Sequence, residues 1–235
     1  MSEFSQLHET IYKLRNKKRA VGSARFFKTG PGQYGEGDIF IGLTVPHCRI
    51  VAKNNNLSSL LTIKKLLASK IHEERLIALL ILVDQYARGG ETEREKIFNF
   101  YLSQTTHINN WDLVDLSADK IVGEFLYTSS RTILKKLAVS KNLWKRRIAI
   151  ISTFAFIKKG EYKDTFTITK ILLTDSHDLI QKACGWMLRE VGKRVSKQQL
   201  QNFLNQHYQT MPRTMLRYAI EHFSESERKH YLGKK

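Results

Sequence analysis

Trp111, Asp112, Asp115 and Asp119 lie in one short stretch, Asn110-Trp-Asp-Leu-Val-Asp-Leu-Ser-Ala-Asp119. Carboxylates at helical spacing beside an aromatic ring can do three kinds of work. Asp112, Asp115 and Asp119 fall within about a 60° arc of a helix, which would let them gather a divalent cation, as in a metal-dependent nuclease. Asp115 alone could stabilise a positive charge developing on a sugar and orient a water for attack. The third use is structural: Trp111 as core, Asp112 favouring a helix N-terminus through the dipole, Asp115 ion-paired with Arg147, and Asp119 solvated.

The charge of the chain sharpens the question. Its 235 residues carry 39 Lys and Arg against 22 Asp and Glu, a formal net charge of +17. Such a surface attracts a polyanion over a Debye length, nucleic acid first and an anionic membrane second. Carboxylates on an anion-binding face weaken binding unless a negative charge is wanted where the anion sits.

The elements that would position these residues are helices. From about residue 57 onward, amphipathic segments alternate with short polar or Gly breaks: Glu73 to Ala87, Trp144 to Ile157, Asp178 to Val191 and Met211 to Phe223. Asn110 is the expected N-cap of the stretch above, placing Trp111, Asp115 and Ala118 on one face. In each amphipathic segment a basic residue precedes a small one: Arg75/Ala78, Arg147/Ala149, Lys182/Ala183 and Arg217/Ala219. The last three alanines are spaced by 34 and 36 residues, Ala78 lies about two such steps upstream, and the vacant step falls near Ala118. A period near 35 with an intervening helix is the signature of an α-solenoid of the HEAT or TPR type. The expected fold is all-α, one HEAT-like repeat domain over residues 1–235, with in-register basic residues lining a concave groove.

Other chemistry is disfavoured. Gly30-Pro-Gly-Gln-Tyr-Gly35 matches G-x-G-x-x-G by letter, but no strand-then-helix context surrounds it, so it reads as a loop. Its Tyr34 and Lys28 could touch a ligand at the groove mouth. Cys48 and Cys184 stand alone, which fits a reducing cytoplasm and argues against structural zinc. No HExxH is present, and metal chemistry through His or Cys is not expected. The N-terminus has no signal-peptide layout, and the longest apolar run, Leu76 to Val83, is too short for a membrane span.

A groove holding DNA gives the lone carboxylate a purpose. A purine alkylated on a ring nitrogen is cationic and already a good leaving group. The expensive step is the charge that develops on deoxyribose as the glycosidic bond breaks. One carboxylate near C1′ would stabilise that charge, aromatic faces would add cation–π contacts, and arginines would hold the flanking phosphate.

At this point the residues resemble a family. Phe40-Ile-Gly-Leu-Thr-Val-Pro46, Asn110-Trp-Asp-Leu-Val-Asp115, Leu143-Trp-Lys-Arg-Arg-Ile-Ala149 and Ile180-Gln-Lys-Ala-Cys-Gly-Trp-Met-Leu-Arg-Glu190 resemble, in order and spacing, the AlkD-like DNA alkylation repair glycosylases built from HEAT-like repeats. The first motif is weak and the other three are specific. The resemblance implies that Asp115 is the catalytic carboxylate and that Trp111 and Trp186 pack on the sugar and backbone of the lesion nucleotide. It implies that Arg147 contacts a nearby phosphate, with Arg189 a further groove arginine. The implied activity is hydrolytic excision of N3- or N7-alkylpurines in base excision repair, by a monofunctional enzyme without metal or cofactor. The implied partner is double-stranded DNA containing alkylated bases, bound by a cytoplasmic, nucleoid-associated monomer with no membrane role. The competing expectations are a non-catalytic HEAT-like scaffold that binds DNA or an acidic protein, the metal-dependent nuclease, and a lyase using a Lys Schiff base.

Overall fold

The computed structural model describes residues 1–233; the last two residues of the domain expected over 1–235 lie outside them. Regular structure within the described residues is helical, apart from one parallel bridge between Ile39 and Ile71. None of these helices is long and apolar enough to cross a membrane. The chain divides into two compact units, Met1–Ser117 and Ala118–Lys235.

The first unit contains α1 (Glu3–Lys13), α2 (Lys17–Phe26), α3 (Val45–Asn54), α4 (Leu60–Leu67), α5 (His72–Arg88), α6 (Glu91–Ser103) and α7 (Trp111–Asp115). Helix α5 is its axis, because its apolar run is buried on all sides from Leu76 to Leu79 and again at Ile81 and Leu82. Helices α3, α4, α6 and α7 pack against it. The start of α5 is unusual: His72, Glu73, Glu74 and Arg75 are consecutive, polar and all buried. Such groups persist in an interior only when hydrogen-bonded. Glu73 meets that condition by accepting from the backbone N–H groups of Ile41 (3.1 Å), Gly42 (2.8 Å) and Leu43 (3.3 Å). Gly42 has φ +85, and a Cβ there would lie 2.2 Å from the carbonyl oxygen of Asn16, so only glycine lets α2 approach this closely. Thr44 then caps α3, whose first turn holds Pro46. The weakest of the sequence motifs, Phe40 to Pro46, is thus a strap joining α2, α3 and α5.

The second unit begins with a π-helical turn (Asp119–Gly123) and continues as α8 (Glu124–Tyr127), α9 (Thr132–Ala138), α10 (Leu143–Lys158), α11 (Lys163–Ile171), α12 (Asp178–Arg194), α13 (Lys197–His207), α14 (Arg213–Ala219) and α15 (Glu225–Leu232). The first helices of successive pairs stack in order: the π-turn on α10, α10 on α12, and α12 on α14. Helices α9, α11 and α13 supply the second layer. Ala149, Ala183 and Ala219 are all buried at these seams, and Ala78 and Ala118 are buried in their own units. The 35-residue period is therefore a packing period in which a small residue lets helices approach. At Gly185 the approach is closer still, since a Cβ would meet the Met215 carbonyl oxygen at 2.5 Å. This is the all-α architecture of HEAT-like helix pairs expected from the repeat.

Two expectations are corrected. The helix expected over Met211–Phe223 is confined to Arg213–Ala219, because Pro212 occupies its N-cap and the chain turns at Ile220. The helix after Asn110 has only five residues. Ser117 ends it: its N–H bonds Val114 O, three residues back, while its hydroxyl donates to Leu113 O, four back. Trp111 and Asp115 share one helical turn, but Ala118 is not on their helix. The Gly30–Gly35 stretch is a loop, as expected, with Lys28 at φ 52 and its ammonium 5.9 Å from the Tyr34 ring.

Candidate active site

In the first unit, Asn110 caps α7 by accepting from Trp111 N at 2.8 Å. The Trp111 ring stacks on Phe27 (5.2 Å, 14°) and meets Phe26 edge-on at 5.9 Å. Behind Phe27, the rings of Phe40 and His72 continue the column, with Phe40 and His72 4.5 Å apart. Asp115, one turn from Trp111, is half-buried. Together with Trp111, Arg19, Phe26, Phe27 and Leu43 it lines a cleft of about 680 Å³. Phe26 is 65% exposed there, an aromatic surface held against water. A carboxylate beside aromatic walls acts through a lower local dielectric than one in bulk water, so its field on a nearby cation is strengthened.

Asp112 has a different role from Asp115. Its Oδ2 lies 2.8 Å from His72 Nε2, and its Oδ1 accepts from Leu113 N at 2.9 Å. The other face of the imidazole reaches Asp38 Oδ2 at 3.2 Å. Asp38 in turn pairs with Arg75 at 2.6 Å and accepts from Asn110 Nδ2 at 3.2 Å. Burial pulls His72 toward neutrality, but the charge and hydrogen bond of Asp112, with the bond to Asp38, outweigh it and raise its pKa. Burial likewise disfavours the Asp38 anion, and His72 and Arg75 more than offset that and lower its pKa. Sequence reasoning missed His72 and Asp38. The visible signal was the run of four polar residues opening a helix whose next residues are a long apolar run.

In the second unit, α10 and α12 present the remaining expected residues. Arg147 is only 5% exposed and donates to the Leu179 carbonyl. Trp186 is half-buried, donates its indole N–H to Glu190 (3.2 Å), and lies 5.9 Å from Phe154. Cations cover Phe154: Lys158 at 4.5 Å and Arg194 at 5.3 Å. Arg189 bonds Glu221 and Glu190. Burial would raise the Glu190 carboxyl, but Arg194 and Arg189 hold it below its ordinary value. Phe154 and Lys158 were not anticipated, although their spacing of seven and eleven from Arg147 places them on one face of α10. This unit holds 23 of the 39 Lys and Arg but only 10 of the 22 Asp and Glu, so most of the positive excess belongs to it.

The in-register basic residues do not share one environment, contrary to the expectation that they line a groove together. Arg75 is a buried partner of Asp38, Arg147 is buried, Lys182 pairs with Asp178, and Arg217 is exposed. Only Arg75 and Arg147 turn inward near a helix start, where the guanidinium is held by a carboxylate or a carbonyl. Among the described residues, no group of three or more His, Cys, Asp and Glu could hold a metal ion. Asp112 is committed to His72, and Asp119 to Lys158 at 2.6 Å. Burial pushes the Cys48 thiol up to about 12 and raises that of Cys184 as well. Neither is a nucleophile at neutral pH.

The sequence pattern of the family described as DNA alkylation repair enzyme matches residues 7–223. Among solved structures, the chain is similar to a predicted DNA alkylation repair enzyme from Enterococcus faecalis, with a TM-score of 0.71 and 18% identity. That match covers 90% of this chain and 97% of the other. No curated protein matches.

Proposed function

The chain belongs to the DNA alkylation repair enzyme family, and we propose that within it this protein is a monofunctional DNA glycosylase for cationic N3- and N7-alkylpurines. The observation that carries this reading is Asp115: a half-buried carboxylate on the same turn as Trp111, in a cleft walled by Phe26 and Phe27. In the reaction, the electron pair of the C1′–N bond leaves with the purine, which becomes neutral. Positive charge builds on the sugar, where the Asp115 carboxylate stabilises it. Water adds to C1′ and loses a proton, giving an abasic sugar and a free base. No strong general acid is needed, because the alkylated base is already cationic.

Trp111 and Trp186 offer aromatic faces to the sugar and backbone of the lesion nucleotide, and Arg189 holds a backbone phosphate, while the buried Arg147 braces α10 against the Leu179 carbonyl. The partner is double-stranded DNA carrying alkylated bases, bound by a monomer through its basic residues. Neither metal nor cofactor enters the reaction, and the cellular place is with the DNA, in the cytoplasm of a prokaryote. Incubation with methylated duplex in EDTA, with released bases identified by chromatography, tests the reading. Free 3-methyladenine or 7-methylguanine is expected. Strand nicks that require added Mg²⁺, with no free base, would overturn it in favour of a nuclease. Tight binding without either product would leave a non-catalytic scaffold.

A further inference from the structure

Asp115 sits on a helix of only five residues, too short to be rigid by itself, and something outside it must fix its orientation. We propose that His72, bridging Asp112 and Asp38 as an imidazolium, is the positioning residue that sets α7 and thereby aims Trp111 and Asp115. This rests on the reading of Asp115 given above.

The geometry favours a ring protonated at both nitrogens. Nε2 faces a carboxylate oxygen at 2.8 Å and Nδ1 faces another at 3.2 Å. A carboxylate only accepts, so a neutral ring would turn one lone pair toward an anion, relieved at Nδ1 only by the longer approach of Arg75 Nη2 at 3.4 Å. His72 is 1% exposed, so its ring nitrogens take their partners from the protein. The charged and titratable groups around it come from every neighbouring element. They are Asp112 on α7, Asp38 before the strap, and Arg75 one turn along α5. Glu73, the next residue on α5, is turned to the backbone of the strap, and the buried thiol of Cys48 on α3 lies in the field of Glu73 and Asp112.

Two routes lead from this ring to the cleft. Asp112 is the second residue of α7, and its Oδ1 accepts from Leu113 N; holding this side chain at both oxygens fixes the rotation of a one-turn helix. Asp115 follows three residues later on that same turn. The second route is through the rings: His72 lies 5.0 Å from Phe27, which stacks on Trp111. Asp38 also accepts from Asn110, the α7 cap, so the bridge holds the helix at its cap and at its first turn.

The experiment uses full-length His72→Gln, His72→Asn and His72→Leu proteins, beside Asp115→Asn, in single-turnover excision from methylated duplex. Gln can keep the bond to Asp112, Asn reaches only toward Asp38, and Leu keeps neither. The expected order of excision rates, per folded molecule, is wild type, Gln, Asn, Leu, with Leu reduced tenfold or more. Affinity for undamaged duplex should stay within about twofold, as the basic residues of the second unit are untouched. Wild-type excision should fall at alkaline pH as His72 loses its proton, and this limb should vanish in His72→Gln. Histidine ¹⁵N NMR at pH 7 should find both ring nitrogens of His72 protonated, a readout independent of activity and of folding yield. A neutral His72 tautomer at pH 7, or equal rates in the folded Gln and Leu proteins, would overturn the proposal. If Asp115→Asn excises normally, the glycosylase reading of Asp115 fails. If Asp115→Asn is inactive while all three His72 variants are normal, only the positioning role fails.

Discussion

Replacing Glu73 tests how the cleft is held together. Its Oε1 accepts from Ile41 N, Gly42 N and Leu43 N, and its Oε2 accepts a longer bond from Ile41 N at 3.2 Å. In Glu73→Ala, three buried donors lose their acceptor, each costing about 1–3 kcal/mol, with water entry recovering part. A net loss of about 4 kcal/mol follows, or roughly 8–16 °C in the melting midpoint for a chain of this size. Glu73→Gln can keep one oxygen where Oε1 sits, retaining the three bonds without their charge, at a cost of about 1–2 kcal/mol. The exposed Glu95→Ala is the control, expected within about 0.5 kcal/mol of wild type. Circular-dichroism melts give the stabilities, and amide hydrogen exchange at residues 41–43 locates the loss. Excision should fall with the strap, because Leu43, Thr44 and Val45 line the cleft. Equal stability of the Ala and Gln proteins would refute the reasoning, since the strap would then owe nothing to a shared acceptor.

Three further outcomes follow from the same contacts. Trp186→Phe should retain more excision than Trp186→Ala with both variants folded, as single-turnover kinetics and melts will show; equal activities with lost stability would make Trp186 plain core. Affinity for undamaged duplex should fall steeply with salt, and Arg189→Ala should lower the slope by about one; a flat titration curve would point to a protein partner. Stability should decline on both sides of neutrality. Asp38, whose pKa is lowered, contributes stability above its unfolded value that is lost as pH falls through its folded one. His72, whose pKa is raised, contributes stability below 6.5 that is lost as pH climbs through its folded value. Melting midpoints across pH will show whether His72→Gln removes the alkaline decline.

Periodicity made much of this molecule readable before its structure. The apolar runs of α5, α10 and α12 and the buried alanines at their seams follow from a repeat that must bury one face against its neighbours. Asn110 announced α7 because few residues satisfy the first backbone donors of a helix so well. What stayed hidden depends on contacts distant in sequence. His72 reaches Asp112 across 40 residues and Asp38 across 34, and no local pattern encodes that pairing. The strap was weak as a motif because its function lies in backbone N–H groups, which every sequence has. Arg147 looked like a groove residue from its register, yet burial depends on which helix turn it occupies. The early end of α7 turned on where one serine hydroxyl donates, a choice that propensity does not reveal.

The most direct test of the central claim is single-turnover release of methylated purines by Asp115→Asn, measured with its melting curve and its affinity for duplex. The carboxamide keeps the shape and removes the charge. Excision is expected to drop about 10²-fold or more, an electrostatic loss near 3 kcal/mol, while the midpoint holds and DNA affinity stays equal or rises. A variant that melts early yet excises at the wild-type rate when folded would contradict the account and make Asp115 a structural residue.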